Sequence, residues 1–255
     1  MRPLLERHGD RVISVLSPIL LLVVWEILAR FHIINPLFFP TPSSIAAKFM
    51  QLAGTGELWV NIGVSLRRLF WGFVIGGIPA LVLGIVMGLS RPVRLFVNPL
   101  VASTYPIPKS ALLPLVLLIF GLDENSKIAM VAMGVFYPVL MNSVTGVLQI
   151  PRIYFDVGKN FGASRWKIFL TIALPGAAPF IFTGIKLGVG MGLILISIAE
   201  MVGASSGLGY MIWNAWQLMD VETMYVGLFI IAFLGFVFSL FLDEAERWLL
   251  PWRPA

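Results

Sequence analysis

The sequence predicts an all-α integral membrane protein, a bundle of six membrane-crossing helices. Three observations carry this. Of 255 residues, 58% are hydrophobic and only 12% are charged, with a mean hydropathy of +0.92. A soluble domain carries about 25% charged residues, so this much apolar surface belongs in lipid. Apolar runs recur at the length of about 20 residues that a helix needs to cross the hydrocarbon layer. Lys and Arg also gather in alternate connections, the asymmetry that orients a membrane chain. One transmembrane domain over residues 1–255 is expected, with a first span and surface helix over 12–56 and a core over 57–250.

Span 1 is expected over residues 12–33. Its apolar run from Val12 follows Arg2, Arg7 and Arg11 but is too long for the apolar stretch of a signal peptide, so it is read as retained. Glu26 and Arg30, four apart, can neutralise each other on one helix face. Pro36, Pro40 and Pro42 then lead into SSIAAKFMQLAG, where Thr41 or Ser43 can cap an amphipathic helix on the membrane surface. Span 2, over 58–89, carries Gly72, Gly76, Gly77, Gly84 and Gly88, a small-residue face that lets helix backbones approach closely. Arg91 to Arg94 reads as a basic turn. Span 3, over 93–121, is interrupted by Pro99, Pro106, Pro108 and Pro114. A helix broken at membrane depth is tolerated only against protein or a wet cavity, so it is a pathway candidate, with a kinked packing helix as the alternative. Asp123 to Lys127 reads as a polar loop. Span 4 follows over 128–150, span 5 over 176–202, an interfacial Trp- and Met-rich piece over 208–219, and span 6 over 222–242.

Between spans 4 and 5 lies the longest basic interruption of the chain's second half, residues 151–175. Pro151 suits a first helical turn, and Tyr154, Val157 and Phe161 recur on one helical face. Gly162 can take positive φ and end that helix. Ser164 can cap a second short helix, which Pro175 is expected to stop. The result is an elbow of two short helices.

Several chemistries are excluded. There is no cysteine, so no disulfide or thiol catalysis. The two histidines, His8 and His32, are not deep in a span, no H-E-x-x-H occurs, and no metal site is expected. The net charge of +5 sits in loops, where membrane topology accounts for it, so nucleic acid is not an expected partner. Gly158-Lys159 has Ile153 where a P-loop requires glycine, so the chain has no ATP-binding motif of that kind. Arg2, Arg7, Arg11, Arg91, Arg94, Arg152, Lys159, Arg165, Lys167, Arg247 and Arg253 fall on one side of a six-span layout. Lys48 and Lys127 fall on the other, with Arg67 and Arg68 if these lie at the end of span 2. Both termini and the elbow are therefore expected in the cytoplasm.

The elbow resembles the cytoplasmic coupling loop of ABC-transporter permeases, whose pattern is Glu-Ala-Ala, three residues, Gly, nine residues, then Ile-x-Leu-Pro. Here Asp156-Val157-Gly158 stand at the first three places, Gly162 follows with Ala163 after it, and Ile172-Ala173-Leu174-Pro175 close the pattern. Ser65-Leu66-x-Arg68 with Gly72-Phe73, the prolines of YPIPKSALLPLVLLIFGL, and residues 199–210 resemble further segments of the same family, in its nitrate, sulfonate and taurine group.

The resemblance implies a type I importer permease fold with cytoplasmic coupling helices, in a bacterial inner membrane. It implies partners: cytoplasmic ATP-binding subunits that hold ATP and Mg, an extracytoplasmic solute-binding protein, and a second permease chain, expected as a homodimer. The residues it assigns to ATPase coupling are Asp156, Val157, Gly158, Gly162, Ala163, Trp166, Leu174 and Pro175. Tyr105, Lys109, Lys186, Glu200, Ser205 and Ser206 are the substrate-pathway candidates. Lys109 and Lys186 within spans would suit a small anion such as nitrate, a sulfonate, taurine or bicarbonate. Alternatively Lys186 pairs with a carboxylate or carbonyl and Lys109 snorkels outward, while Glu200 pairs with Arg67 or Arg68 as a closed gate. The group also takes uncharged heterocycles such as vitamin precursors, and a lone ion-driven carrier is the more distant reading.

Overall fold

The computed structural model describes residues 4–252, with side chains described from residue 16. The side chains of Arg2, Arg7, His8, Arg11 and Arg253 lie outside the described residues. Among the described residues there are helices and no strands: α1 Leu4–Arg30, α2 Pro42–Thr55, α3 Glu57–Leu89, α4 Arg91–Thr104, α5 Leu113–Phe120, α6 Glu124–Leu148, α7 Arg152–Asn160, α8 Arg165–Ile168, α9 Leu174–Met201, α10 Leu208–Gln217 and α11 Val221–Leu249. Among the described residues, four stretches are long and apolar enough to cross a membrane, and α4 with the segment after it makes a fifth if the bent pair is one span. The chain forms two units, Met1–Trp59 with Met211–Phe229, and Val60–Tyr210 with Ile230–Ala255.

In the first unit α2 begins as its sequence indicates. Thr41 accepts from the Ser44 amide at 3.1 Å, and Gly56 closes the helix at φ +82°. Glu26 does more than neutralise Arg30, which it meets at 2.5 Å: it also accepts from the Ser43 amide at 3.0 Å and from its hydroxyl. A carboxylate at a helix N-terminus complements the exposed amides there. Trp25 stacks on Phe229, and Lys48 lies 2.8 Å from Asp220, which caps α11 through the Thr223 amide.

In the second unit α3, α6 and α9 pack through glycines. A Cβ on Gly84 would stand 2.6 Å from that of Ser143, and the equivalent atoms on Gly72 and Gly88 would collide with Val131 and Val147. The partners keep a constant offset along both helices, so α3 and α6 run parallel. Residues 90–123 must therefore return the chain to the end where α3 began. They do so as a broken path: α4, a 3-10 turn at Lys109–Leu112, and α5, bent by 83° at the break. Gly134 meets Leu195, and Gly146 meets Ala177 and Phe180, so α9 runs antiparallel to α6. Leu69, Ala80, Val131, Val135, Val139, Leu193 and Ile196 fill the core between them.

Four expectations need correction. Pro175 does not stop a helix: a π turn at Phe169–Ala173 joins α8 to α9, and Pro175 lies in the first turn of α9, where a missing N–H costs little. Arg91 to Arg94 form the first turn of α4, with Pro92 at its start; the Arg94 guanidinium donates to the Met87 and Gly88 carbonyls at the end of α3. Asp123 to Lys127 are not a loop, because α6 starts at Glu124, and Ser126 and Lys127 are buried within it. The charged end of span 6 continues α11 to Leu249.

Candidate functional sites at the two ends of the bundle

The elbow joins α6 to α9 at one end of the second unit. At the end of α7 the Gly162 amide donates to the Lys159 carbonyl at 2.9 Å, and the Ala163 amide to the Gly158 carbonyl at 2.9 Å. This is a Schellman closure, and it places Gly162 at φ +69°, where a side chain is disfavoured. Ser164 caps α8 through the Lys167 amide at 3.2 Å. A Cβ on Gly158 would lie 2.9 Å from Ile172 Cδ1, so the bare backbone of α7 lets it rest on the π turn. Asp156 and Val157 face outward, Trp166 stacks on Phe169 at 5.1 Å, and Phe161 and Trp166 are 87% and 67% exposed. Ala163, Leu174 and Pro175 are half-buried behind them. An open groove of about 770 Å³ runs beside the elbow, lined by Tyr154, Ile172, Pro175, Phe180 and Trp252 among others.

The opposite end, ~37 Å away along the 25 residues of α6, holds a buried ion network. Arg68 donates from Nη1 to Glu200 Oε1 at 2.9 Å and to the Ser206 carbonyl at 2.7 Å; its Nε and Nη2 both bond Glu124. The Glu200 carboxylate also accepts from the Ser65 hydroxyl at 2.8 Å and the Gly209 amide at 2.9 Å. The Gly207 amide donates to Asn61 Oδ1 and the Leu208 amide to Ser65 Oγ, each at 2.8 Å. Arg67 reaches Glu124 at 3.1 Å from the exposed side. The Lys127 ammonium bonds the Leu122 and Gly203 carbonyls. Burying charges of this kind is tolerable only when each is paired and hydrogen-bonded, a condition the Arg68–Glu200 contact meets.

The pathway candidates fall into three groups. Glu200 and Ser206 share Arg68, while the Ser205 side chain is exposed beside them. Tyr105 and Lys109 meet at the broken helix: Lys109 donates to the carbonyls of Thr104, Tyr105 and Ile107 and stands 4.1 Å over the Tyr137 ring. It thus gathers carbonyls at the break in span 3, one of which, Thr104, also accepts from the Ile107 amide. Lys186 stands fourteen residues below Glu200 on α9, ~21 Å away, held by Asp243 at 2.5 Å and Glu246 at 2.7 Å. Asn61, Ser65, Gly207 and Gly209 escaped the sequence reading as site residues. Their signal was present: Asn61, Ser65 and Arg68 recur at i, i+4 and i+7 as a polar face within an apolar span.

Residues 80–253 match the family model of the binding-protein-dependent transport system inner membrane component. The chain belongs to that family. It is therefore an ABC importer permease, a membrane component of a transport system. It is 34% identical to the taurine transport system permease protein TauC of Escherichia coli K12, over 91% of this chain and 86% of that one. It is 32% identical to the putative aliphatic sulfonates transport permease protein SsuC of Bacillus subtilis 168, over 94% and 87% of the two chains. The E. coli SsuC protein gives 32% over 96% and 93%. In fold, the permease is similar to a chain of the MetNI methionine ABC transporter in an inward-facing conformation, with a TM-score of 0.57 and 22% identity over 76% of this chain and 94% of that one.

Proposed function

We propose that this permease forms the translocation pathway of an ATP-driven importer for a small sulfonate such as taurine, delivered by an extracytoplasmic binding protein. The observation that carries the substrate class is the similarity to taurine and aliphatic sulfonate permeases, which runs over nine-tenths or more of the chain. In this reading α1 and the bent α4–α5 segment complete six spans, and both termini and the elbow face the cytoplasm. Two copies pair to enclose the path. Partner ATPases bind ATP and Mg and grip the elbow through Asp156, Val157, Gly162, Ala163 and Trp166. Gly158, Leu174 and Pro175 tie the elbow to α9, so closure of the ATPases is passed to α9 as a lever. The outward display of Phe161 and Trp166 at the elbow supports a protein partner there, because large exposed aromatics mark interaction surfaces.

Tyr105 and Lys109 at the broken helix, and Ser205 and Ser206 near the far end, remain the residues proposed to meet substrate. Lys186, already held by two carboxylates, is better placed as a tie between α9 and α11. Uptake of radiolabelled taurine by cells carrying the complete importer tests the reading. Saturable, ATP-dependent uptake that is lost on deleting this chain is expected. Uptake indifferent to its deletion would overturn it, and uptake that persists without the ATPase would point to a lone carrier.

A further inference from the structure

The turn between α9 and α10 is built unlike the other connections of the bundle. It runs from Val202 to Gly207, with Gly203 at φ +69° and Gly207 at φ +117°, conformations that disfavour side chains. Such a segment has little stiffness of its own. Its polar backbone is held from outside by side chains of three helices: Gly207 by Asn61, Leu208 by Ser65, Gly209 by Glu200, Ser206 by Arg68 and Gly203 by Lys127. Two of these side chains depend on each other. Arg68 and Glu200 are both almost wholly buried and meet at 2.9 Å, and Arg68 also holds the Glu124 carboxylate. A Cβ on Gly207 would strike the Glu200 carboxyl group, and one on Gly209 would lie 2.8 Å from Glu200 Cβ. The turn is thus shaped around that carboxylate.

We propose that Glu200 and Arg68 are positioning residues that latch the 203–210 turn against α3 and α6, and that the negative charge of Glu200 is the bolt. With the carboxylate in place, Arg68 is neutralised, its Nη1 is aimed at the Ser206 carbonyl, and two successive amides at the start of α10 are held, Gly209 directly and Leu208 through Ser65. Without it, Arg68 is left with Glu124 alone, the Ser65 hydroxyl loses its acceptor, and the glycines release the turn. The space left by the carboxylate would then present a guanidinium, a hydroxyl and a backbone amide to any carboxylate small enough to enter. On the proposed orientation this turn lies at the extracytoplasmic mouth of the path. The latch itself does not depend on that orientation or on the substrate, and its test is chosen to be independent of both.

The test is hydrogen–deuterium exchange on the full chain in lipid nanodiscs, read on peptides covering residues 203–210. In Glu200→Ala the amides of Leu208 and Gly209 should exchange at least about tenfold faster than in the parent, the factor expected for losing a hydrogen bond worth about 1.4 kcal/mol. Adding acetate, which can fill the vacated carboxylate place, should slow exchange back toward the parent rate, and acetamide should not. Unchanged exchange in Glu200→Ala overturns the proposal. So does fast exchange that acetate and acetamide leave alike, because the charge would then not be what holds the turn. If Glu200→Ala does not fold, Glu200→Gln serves, since it keeps the shape and removes the charge: faster exchange confined to 203–210 supports the latch, and parental exchange there overturns it.

Discussion

The Lys186 ammonium on α9 lies 2.5 Å from a carboxylate oxygen of Asp243 on α11. Glu246, one turn further along α11, holds the same ammonium at 2.7 Å. The lysine therefore balances two acids, and its removal leaves them facing each other. Lys186→Met should cost about 1–2 kcal/mol of stability, less than a fully buried pair because Asp243 is 46% exposed. Pairing it with Asp243→Asn should recover part of the loss. Thermal unfolding of the detergent-solubilised variants checks this, and the KM for uptake should stay at the parent value. A raised KM with unchanged stability would put Lys186 in the substrate path.

Gly162 sets the angle between α7 and α8 at φ +69°. Proline fixes φ near −65° and removes the amide that bonds Lys159, so Gly162→Pro forbids the turn. Uptake should fall to background while the ATPase subunits keep hydrolysing ATP. Gly162→Asn, which tolerates the left-handed region, should keep most of the uptake. The ratio of transport to hydrolysis in reconstituted vesicles is the measurement.

Glycines on the parallel α3–α6 contact should differ sharply from glycines in open space. A Cβ on Gly84 would lie 2.6 Å from Ser143 Cβ and 2.8 Å from the Leu140 carbonyl, whereas nothing lies within 4 Å of one on Gly63. Gly84→Val should destabilise by about 1–3 kcal/mol through overpacking. Gly63→Ala should be neutral or stabilise by up to about 1 kcal/mol through lower unfolded-state freedom. Thermal unfolding of the two variants beside the parent reads the contrast.

Asp220 links α2 to the start of α11. Burial pushes its carboxyl up, but the Lys48 ammonium and the Thr223 bonds outweigh that and hold it below the usual carboxylate range. A depressed carboxyl stabilises the fold above its unfolded pKa and loses that contribution as pH falls through the folded value. The Lys48–Asp220 pair should therefore contribute fully at neutral pH and fade below about pH 4. For a partly exposed pair this amounts to about 1 kcal/mol or less. Lys48→Met should remove it, so parent and variant melting curves should differ at pH 7 and converge in acid.

Much of the bundle could be read from the chain. The glycine spacing of 72, 76, 84 and 88 announced a close helix contact, though not that the partner is the parallel α6. The prolines of 99–114 announced a break, and the structure adds its 83° bend. What sequence order hid was long-range pairing. Lys127 looked like a loop cation because Asp123 and Glu124 precede it, yet it is buried against the Gly203 carbonyl, far away in sequence. Glu200 could be paired with Arg67 or Arg68 by charge alone, but the roles of Ser65, Asn61 and Gly209 required the fold. Pro175 misled for a local reason: a π turn gives proline a place inside a continuous helix, and nothing in composition signals one.

The elbow's exposure to a cytoplasmic ATPase is the claim on which the account turns. The chain contains no cysteine, so Trp166→Cys supplies a single thiol at that surface. Membrane-impermeant maleimide should leave it unlabelled in intact cells and label it in inverted vesicles, with protection when the ATPase subunits are bound. Labelling from outside intact cells, or labelling indifferent to the ATPase, would contradict the account.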